Sequence, residues 1–177
     1  RGQFDDGKYR FSEISYLSGI YQTDWSWAPL FADYDHDGLK DLIITNGFRK
    51  DVTNLDFIVY TLMGQSQFGT EEAKLKQAIA EMNNLPDVKL PNFGFKNNRD
   101  LTFEEISSDW GLKQPTFTNG TAYADLDKDG DLDLVLNNID MTALLFENQM
   151  DKRPDRYSLT IKFNRYTPFV DRIGAKI

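Results

Sequence analysis

The sequence contains an internal repeat with an offset of 92 residues and no gap. Residues 11 to 47, FSEISYLSGIYQTDWSWAPLFADYDHDGLKDLIITNG, align with residues 103 to 139, FEEISSDWGLKQPTFTNGTAYADLDKDGDLDLVLNNI. In both copies, 22 positions separate the leading phenylalanine from the first aspartate of an acidic loop. Two copies in register predict two equivalent supersecondary units, with the acidic loop at the same place in each.

Short strands are predicted in each copy. The segments RFSEIS and TFEEIS alternate apolar and polar residues, PLFAD and TAYAD lead into the acidic loops, and DLIIT and DLVLN leave them. The last two runs are apolar enough for a sheet that is covered on both faces. Aromatic segments, FDDGKY, FGFKNN and LLFEN, lie before the first copy, before the second and after it. This regular spacing favours a propeller, a sandwich or a barrel.

Residues 48 to 92 interrupt the β pattern between the copies. The segment TEEAKLKQAIAEMNN places Leu75, Ala78, Ile79 and Met82 at helical spacing, with Thr70 as the N-cap. The segment VTNLDFIVYTLMG is also helix-like, although its β-branched residues would suit a strand. We expect two antiparallel helices whose apolar stripes pack on the repeats. A groove for a partner protein is the alternative.

The acidic loops have the residue types and the spacing of a site for a hard cation. Calcium binds about six to eight oxygen ligands, and alternating carboxylates can all point inward when the chain curls around the ion. Loop positions 1, 3, 5 and 9 supply side chains, position 7 supplies a backbone carbonyl, and the glycine at position 6 permits the turn. The predicted ligands are Asp33, Asp35, Asp37, Leu39 and Asp41 in one loop, and Asp125, Asp127, Asp129, Asp131 and Asp133 in the other.

An EF-hand, a site for another metal and a metal-free turn are alternative interpretations of the acidic loops, and each fits the sequence less well than a calcium site in a β-hairpin. An EF-hand needs a glutamate at position 12, where these loops have Ile44 and Leu136, and its flanks are helices. Zinc and copper prefer nitrogen or sulfur ligands, and magnesium usually keeps several waters. A solvated Asp-Gly hairpin without a metal is the simplest alternative. Two equivalent loops, each with an aspartate at position 9, favour two calcium sites.

Composition narrows the classes of function. The formal charge of −8 argues against a protein that binds nucleic acid through its phosphates. Cysteine is absent, so disulfides and thiol chemistry are excluded. No apolar run approaches the roughly 18 residues of a membrane span. A hydrophobic fraction of 40% is typical of a globular domain.

The segment FTNGTAYADLDKDGDLDLVLNN resembles the FG-GAP/VCBS repeat. This resemblance implies a calcium-stapled β-propeller blade, as in the head of integrin α-subunits, and it covers roughly residues 1 to 47 and 93 to 150. The C-terminal RIGAKI is similar to the opening of the ASPIC/UnbV module, which follows such repeats in many secreted bacterial proteins. A closed propeller needs at least four blades. We therefore expect a fragment of about two blades plus parts.

Catalysis is not expected from this chain. The single histidine, His36, lies inside the first acidic loop, no serine has a nucleophile-elbow pattern, and the aspartates are better explained as ligands. The alternative function is a carbohydrate-binding module or an accessory part of a secreted glycan-processing protein, because Trp25 and Trp27 could form a stacking surface for glycans. Trp25 aligns with Phe117 and is expected in the core, whereas Trp27 aligns with Asn119 and is the better candidate for a ligand contact.

The sequence thus predicts a mainly β protein, a β-propeller fragment with an inserted helical pair. The expected units are a first repeat (1 to 47), a helical insertion (48 to 92), a second repeat (93 to 150) and the start of a C-terminal β module (151 to 177). The expected function is non-catalytic and calcium-dependent, in protein binding or adhesion. The expected partners are a protein or glycan ligand and the rest of a larger propeller. The expected location is extracellular, periplasmic or on the outer-membrane surface, where calcium is abundant.

Overall fold

The fold is mainly β and was analysed in a computed structural model. The structure describes residues 2 to 5, 7 to 51, 70 to 155 and 159. Within these residues the elements are β1 Gly2–Asp5, β2 Lys8–Phe11, α1 Ser15–Ser18, β3 Ser26–Ala32, β4 Asp41–Asn46, α2 Glu71–Asn84, β5 Phe93–Asn97, β6 Phe103–Glu105, β7 Thr118–Ala124, β8 Asp133–Asn138, β9 Leu144–Phe146 and a 3-10 turn Met150–Lys152.

Two antiparallel sheets and one hairpin organise these strands. The larger sheet has the order β3-β4-β5-β6, the smaller one has the order β7-β8-β9, and β1 pairs with β2. Within each sheet, strands that are adjacent in sequence therefore pair, even where the insertion separates β4 from β5. The sheets are not closed on themselves within the described residues. The prediction of a mainly β fold is confirmed.

The predicted repeat is confirmed at the level of strand register. Strands β7 and β8 occupy the positions of β3 and β4 displaced by the same 92 residues. Ala32 pairs with Asp41 in the first sheet, and Ala124 pairs with Asp133 in the second. Each first strand also has a register shift near its start, between Ser26 and Pro29 or between Thr118 and Gly120.

The main core lies between the two sheets. Ala32 and Ile43 from the first sheet form one buried cluster with Leu134 and Leu136 from the second, together with Tyr34 and Leu112. Every residue of β4 is buried, as predicted for a strand covered on both faces. Full burial of one leucine such as Leu136 stabilises the fold by roughly 1.5–3 kcal/mol.

A buried polar network also joins the sheets. The Asn92 side chain accepts a hydrogen bond from the Asn46 backbone N–H (2.9 Å) and donates from Nδ2 to the hydroxyls of Thr116 and Thr118, each at 3.2 Å. Thr118 in turn donates to Asn138 Oδ1 (2.7 Å). Because each of these side chains is buried and paired, the network fixes the approach of β4 to β7.

The described part of the insertion contains α2. Thr70 caps this helix as predicted, because its hydroxyl oxygen accepts a hydrogen bond from the Ala73 N–H (3.3 Å). The expectation that its apolar stripe packs on the repeats is wrong for Leu75, Ile79 and Met82, which are 61%, 49% and 42% exposed. The second predicted helix, over residues 52 to 64, lies outside the described residues.

The N-terminal part of the chain differs from its predicted strand pattern at one place. The β1-β2 hairpin matches the aromatic segment FDDGKY, whereas the predicted strand RFSEIS ends at Phe11 and is followed by α1 at Ser15–Ser18. The segment RIGAKI lies outside the described residues. Among the helices of the described part of the chain, none is long and apolar enough to cross a membrane.

Candidate cation-binding loops

Each acidic loop joins the first and second strands of its sheet, and each gathers three carboxylates. In the loop between β3 and β4, carboxylate oxygens of Asp33, Asp35 and Asp37 all lie within 4.8 Å of one another. In the loop between β7 and β8, the carboxylates of Asp125, Asp127 and Asp129 form the equivalent group. The structure therefore brings together the three aspartates predicted at loop positions 1, 3 and 5 in both copies.

The backbone of the two loops follows the same path. His36 and its counterpart Lys128 have φ values of 55° and 69°, and Gly38 and Gly130 have φ values of 85° and 100°. Positive φ at the sixth position is unfavourable for residues with a Cβ atom, so the glycine predicted to permit the turn does so in both copies. The turn reverses the chain direction and lets alternate aspartates face the same space.

Hydrogen bonds to backbone amides orient the carboxylates of the first loop. The N–H of Asp37 donates to Asp33 Oδ1 (3.1 Å) and to Asp35 Oδ1 (3.2 Å), and the N–H of Gly38 donates to Asp33 Oδ2 (3.0 Å). In the second loop the N–H of Asp129 donates to Asp127 Oδ1 (3.3 Å). A carboxylate has about four lone-pair sites, so these oxygens can still accept a cation.

Asp41 and Asp133, the predicted ninth-position ligands, have a structural role in both copies. Both are buried, and both oxygens of each accept backbone N–H groups. Asp41 accepts from Tyr34 (3.2 Å) and Asn97 (3.0 Å), and Asp133 accepts from Leu126 and Asn148, each at 2.9 Å. Each carboxylate thus ties its acidic loop to the third strand or its end. That Asp41 and Asp133 bind a cation stays a prediction, as it does for the carbonyls of Leu39 and Asp131.

Loss of solvation, with the neighbouring negative charges, makes ionisation of these carboxyl groups costly. Burial raises the pKa of Asp41 to about 6, the carboxylates of Asp37 and Asp33 add to the rise, and the amide hydrogen bonds oppose it. Loss of solvation, together with the charges of Asp129 and Asp133, raises the pKa of Asp127. A bound divalent cation would reverse this effect, because it favours the charged form of every carboxylate around it.

The two loops differ in the side chain that approaches them from the third strand. The Lys96 ammonium contacts Asp35 Oδ2 and lies 3.2 Å from Asp37 Oδ2. The corresponding residue after β9 is Glu147, which pairs with Lys152 (3.3 Å). A protein cation thus stands among the carboxylates of the first loop. The second loop has no equivalent lysine among the described residues.

The donor set and the flanks fit the predicted kind of ion and exclude the EF-hand. The three carboxylates in each group offer only oxygen, the ligand that calcium and magnesium prefer. Ile44 and Leu136, at loop position 12, are buried apolar residues of β4 and β8. The loops therefore lie in β-hairpins, as predicted.

A third carboxylate group was missed by the sequence analysis. Asp131 was predicted to contribute its backbone carbonyl, but its side chain is fully buried and lies with those of Asp129 and Asp151. Burial raises the pKa of Asp131, and the charge of Asp129 adds to the rise. No repeat signal could have revealed this group, because Leu39 replaces Asp131 in the first copy and Asp151 lies after the second copy.

Aromatic side chains form an exposed surface on the first repeat. Trp27 is 48% exposed and donates from Nε1 to the Gly47 carbonyl oxygen (2.6 Å). Trp25 is 38% exposed and packs against Phe48, with ring centroids 4.9 Å apart, so its expected core position is wrong. Its counterpart Phe117 is buried. Aligned positions in the two repeats therefore have different surroundings here.

An open cavity of about 300 Å³ lies at the edge of the main core. Its lining includes the aromatic residues Tyr34, Trp110 and Phe146. Asp109 and Glu147, two acidic residues of the second repeat, also line it. The Asn148 side chain, also in the lining, donates to the carbonyl oxygens of Tyr34 (2.8 Å) and Leu132 (3.3 Å). It thus connects the second repeat to the loop of the first.

Comparison of this chain with models of known protein families and with curated proteins gives no match in either case.

Proposed function

We propose that this chain is a non-catalytic, calcium-stabilised β module that acts in protein binding or adhesion as part of a larger propeller. The observation that carries the proposal is the duplication of the acidic loop. Both copies place three carboxylates within 4.8 Å of one another, on the same backbone turn and between equivalent strands. Solvation of an Asp-Gly turn does not by itself require the same three carboxylates to be clustered in both copies.

Two ions would be held by the chain's own oxygens. Asp33, Asp35 and Asp37 would bind one ion and Asp125, Asp127 and Asp129 the other, with Asp41 and Asp133 and the carbonyls of Leu39 and Asp131 as further ligands. Calcium would supply positive charge that offsets carboxylate repulsion and would not take part in a reaction. The result would be a rigid connection between the first two strands of each sheet.

The proposed location follows from the expected strength of binding. Calcium sites of extracellular modules commonly have dissociation constants of roughly 10⁻⁴–10⁻³ M, which only compartments outside the cytosol satisfy. A location in the extracellular space or the cell envelope is therefore consistent with a structural role for calcium. The antiparallel order within each sheet and the resemblance to FG-GAP/VCBS repeats support the propeller.

Calcium titration by isothermal calorimetry tests the proposal. We expect binding to wild-type protein and the loss of one site in each of Asp35→Asn and Asp127→Asn, because each change removes a charged ligand from one loop. Asp109→Asn removes the same charge from an exposed position outside the loops and serves as the control. Absence of calcium binding, or binding that neither loop variant changes, would refute the proposal.

Glycan binding remains a second candidate function, and the exposed rings of Trp25 and Trp27 favour it. Trp27 uses its indole N–H within the protein, so a sugar would stack on the ring and would not use that donor. An oligosaccharide array probed with wild type, Trp27→Ala and Trp27→Phe tests this candidate. Binding that is lost in the alanine variant and partly retained in the phenylalanine variant would support stacking, whereas no bound glycan would argue against it.

A further inference from the structure

A carboxylate group beside the second acidic loop lies outside the repeat pattern. Oxygens of Asp129, Asp131 and Asp151 all lie within 4.8 Å of one another. Asp129 belongs to the loop, Asp131 follows it, and Asp151 lies in the 3-10 turn Met150–Lys152. The group therefore joins the loop to the chain that follows the second repeat.

Asp131 provides a second, independent observation. Its side chain has no solvent exposure, and Oδ2 accepts the backbone N–H groups of Met150 (2.8 Å) and Asp151 (3.2 Å). Oδ1 is buried and has no hydrogen-bond partner within the described part of the chain. A buried carboxylate oxygen without a donor is strongly unfavourable, so this atom favours a ligand that carries positive charge.

The nearby positive charge of Lys152 is attracted by Asp151 and Asp129 but forms its ion pair elsewhere. Lys152 pairs with Glu147, and the ion pairs formed among the described residues do not include Asp129, Asp131 or Asp151. Three carboxylates at this separation repel one another without a counter-charge. A divalent cation that prefers oxygen ligands would supply the counter-charge for the three carboxylates and a partner for Oδ1 of Asp131.

We propose that Asp129, Asp131 and Asp151 bind a third divalent cation, of the calcium type, next to the ion of the second loop. Asp129 is shared by the two carboxylate groups and would contribute to both ions. The first repeat has Leu39 at the position of Asp131 and cannot form this site. The third ion would fix the turn at residues 150 to 152 against the second loop. This inference goes beyond the proposed function.

Counting bound calcium per chain by equilibrium dialysis and native mass spectrometry tests the inference. We expect three ions on wild type, and two on Asp151→Asn and on Asp131→Asn. Asp151 is exposed, so its variant should fold. The asparagine at position 131 has nearly the same shape as aspartate and retains an acceptor for the amides of Met150 and Asp151. Asp109→Asn should keep all three ions.

The counts separate this inference from the proposed function. Equal numbers of ions on wild type and Asp151→Asn would overturn the third site, even if Asp35→Asn and Asp127→Asn each lose an ion. Loss of an ion in Asp151→Asn, with no loss in Asp35→Asn or Asp127→Asn, would support the third site and refute the proposed loop sites. Absence of bound calcium on wild type would overturn both.

Discussion

The Nζ atom of Lys96 lies 3.2 Å from Oδ2 of Asp37, among the carboxylates of the first acidic loop. The same ammonium contacts Asp35. At the corresponding place in the second repeat the chain has Glu147, whose charge is opposite. Among the described residues, only the first loop therefore has a lysine in ion-pair contact with its carboxylates. The two loops should respond differently to calcium and to its removal.

Replacement of Lys96 by glutamine should have opposite effects with and without calcium. In EDTA, the loss of the ion pairs should lower the free energy of unfolding by about 1 kcal/mol. In calcium, the ion no longer competes with an ammonium, so binding to the first loop should tighten by about fivefold, the factor that corresponds to 1 kcal/mol. Chemical denaturation and calorimetric titration measure the two effects.

Glu147→Lys is the reciprocal variant and should weaken calcium binding to the second loop only. Glu147→Gln controls for the loss of the Glu147–Lys152 pair, which is exposed and contributes little. If Lys96→Gln alters neither the stability in EDTA nor the calcium affinity, the contact with Asp35 and Asp37 has no energetic role.

Asp41 predicts a pH dependence for the calcium-free protein. Its folded-state pKa of about 6 lies above the ordinary value of 3.8, so the folded state binds this proton more tightly than the unfolded state does. The resulting stabilisation is fully present below pH 3.8 and is lost as the pH rises through about 6. The loss amounts to about 3 kcal/mol, at 1.36 kcal/mol per pKa unit.

Denaturation in EDTA between pH 4 and pH 7 measures this dependence. Asp41→Asn should be less stable overall, because the asparagine NH₂ group would face the backbone N–H of either Tyr34 or Asn97. The stability of this variant should nevertheless fall less steeply with rising pH, because asparagine does not titrate. Calcium should flatten the profile of the wild type by favouring the ionised carboxylate. An identical slope for wild type and Asp41→Asn in EDTA would contradict the assignment.

The hydrogen-bond network around Asn92 predicts that removal of its side-chain amide strongly lowers the stability of the fold. Asn92→Ala leaves the Asn46 N–H and the hydroxyls of Thr116 and Thr118 without this partner in a buried seam. Each buried group that loses its partner costs about 1–3 kcal/mol, so we expect the variant to lose at least 2 kcal/mol of stability. Asn98→Ala, at an exposed position, is the control. Equal stability of the two variants would show that the network does not join the sheets.

Removal of the Tyr34 hydroxyl should raise the free energy of unfolding, in contrast to removal of the Asn92 amide. The Tyr34 side chain is buried against Trp110 and Tyr123, and burial raises its pKa. Its hydroxyl has no hydrogen-bond partner among residues 2 to 5, 7 to 51, 70 to 155 and 159. Tyr34→Phe keeps the ring contacts and removes the unpaired group, so the free energy of unfolding should rise by about 1 kcal/mol. Thermal and chemical denaturation provide the measurement. A loss of stability would show that the hydroxyl has a partner, such as a bound water.

The sequence predicted the parts of the fold that local patterns determine. The repeat offset correctly related β3 and β4 to β7 and β8. The signals behind it, which are alternation, apolar runs and the Asp-Gly turn, depend on only a few neighbouring residues. The first three aspartates of each loop were found for the same reason. Thr70 also followed from local chemistry, since a helix cap concerns only the first turn.

Features that depend on tertiary contacts were not predicted. Lys96 reaches Asp35 across 61 positions and an insertion, and Asp131 meets Asp151 across 20, so no local spacing relates them. Trp25 was expected to be buried because Phe117 aligns with it, but burial depends on what packs above each residue. The exposed stripe of α2 has the same explanation, because helical periodicity identifies an apolar face and not the surface that covers it.

The central claim, that the acidic loops are structural calcium sites, is tested most directly by the thermal unfolding of the wild-type chain. The melt is measured in EDTA, in millimolar calcium and in the same concentration of magnesium. A ligand that binds only the folded state stabilises it by about 1.4 kcal/mol per site at ten times its dissociation constant. Two sites should therefore raise the melting temperature by several degrees in calcium, and magnesium should raise it less. Equal melting temperatures in EDTA and calcium would contradict the claim and leave the loops as solvated turns.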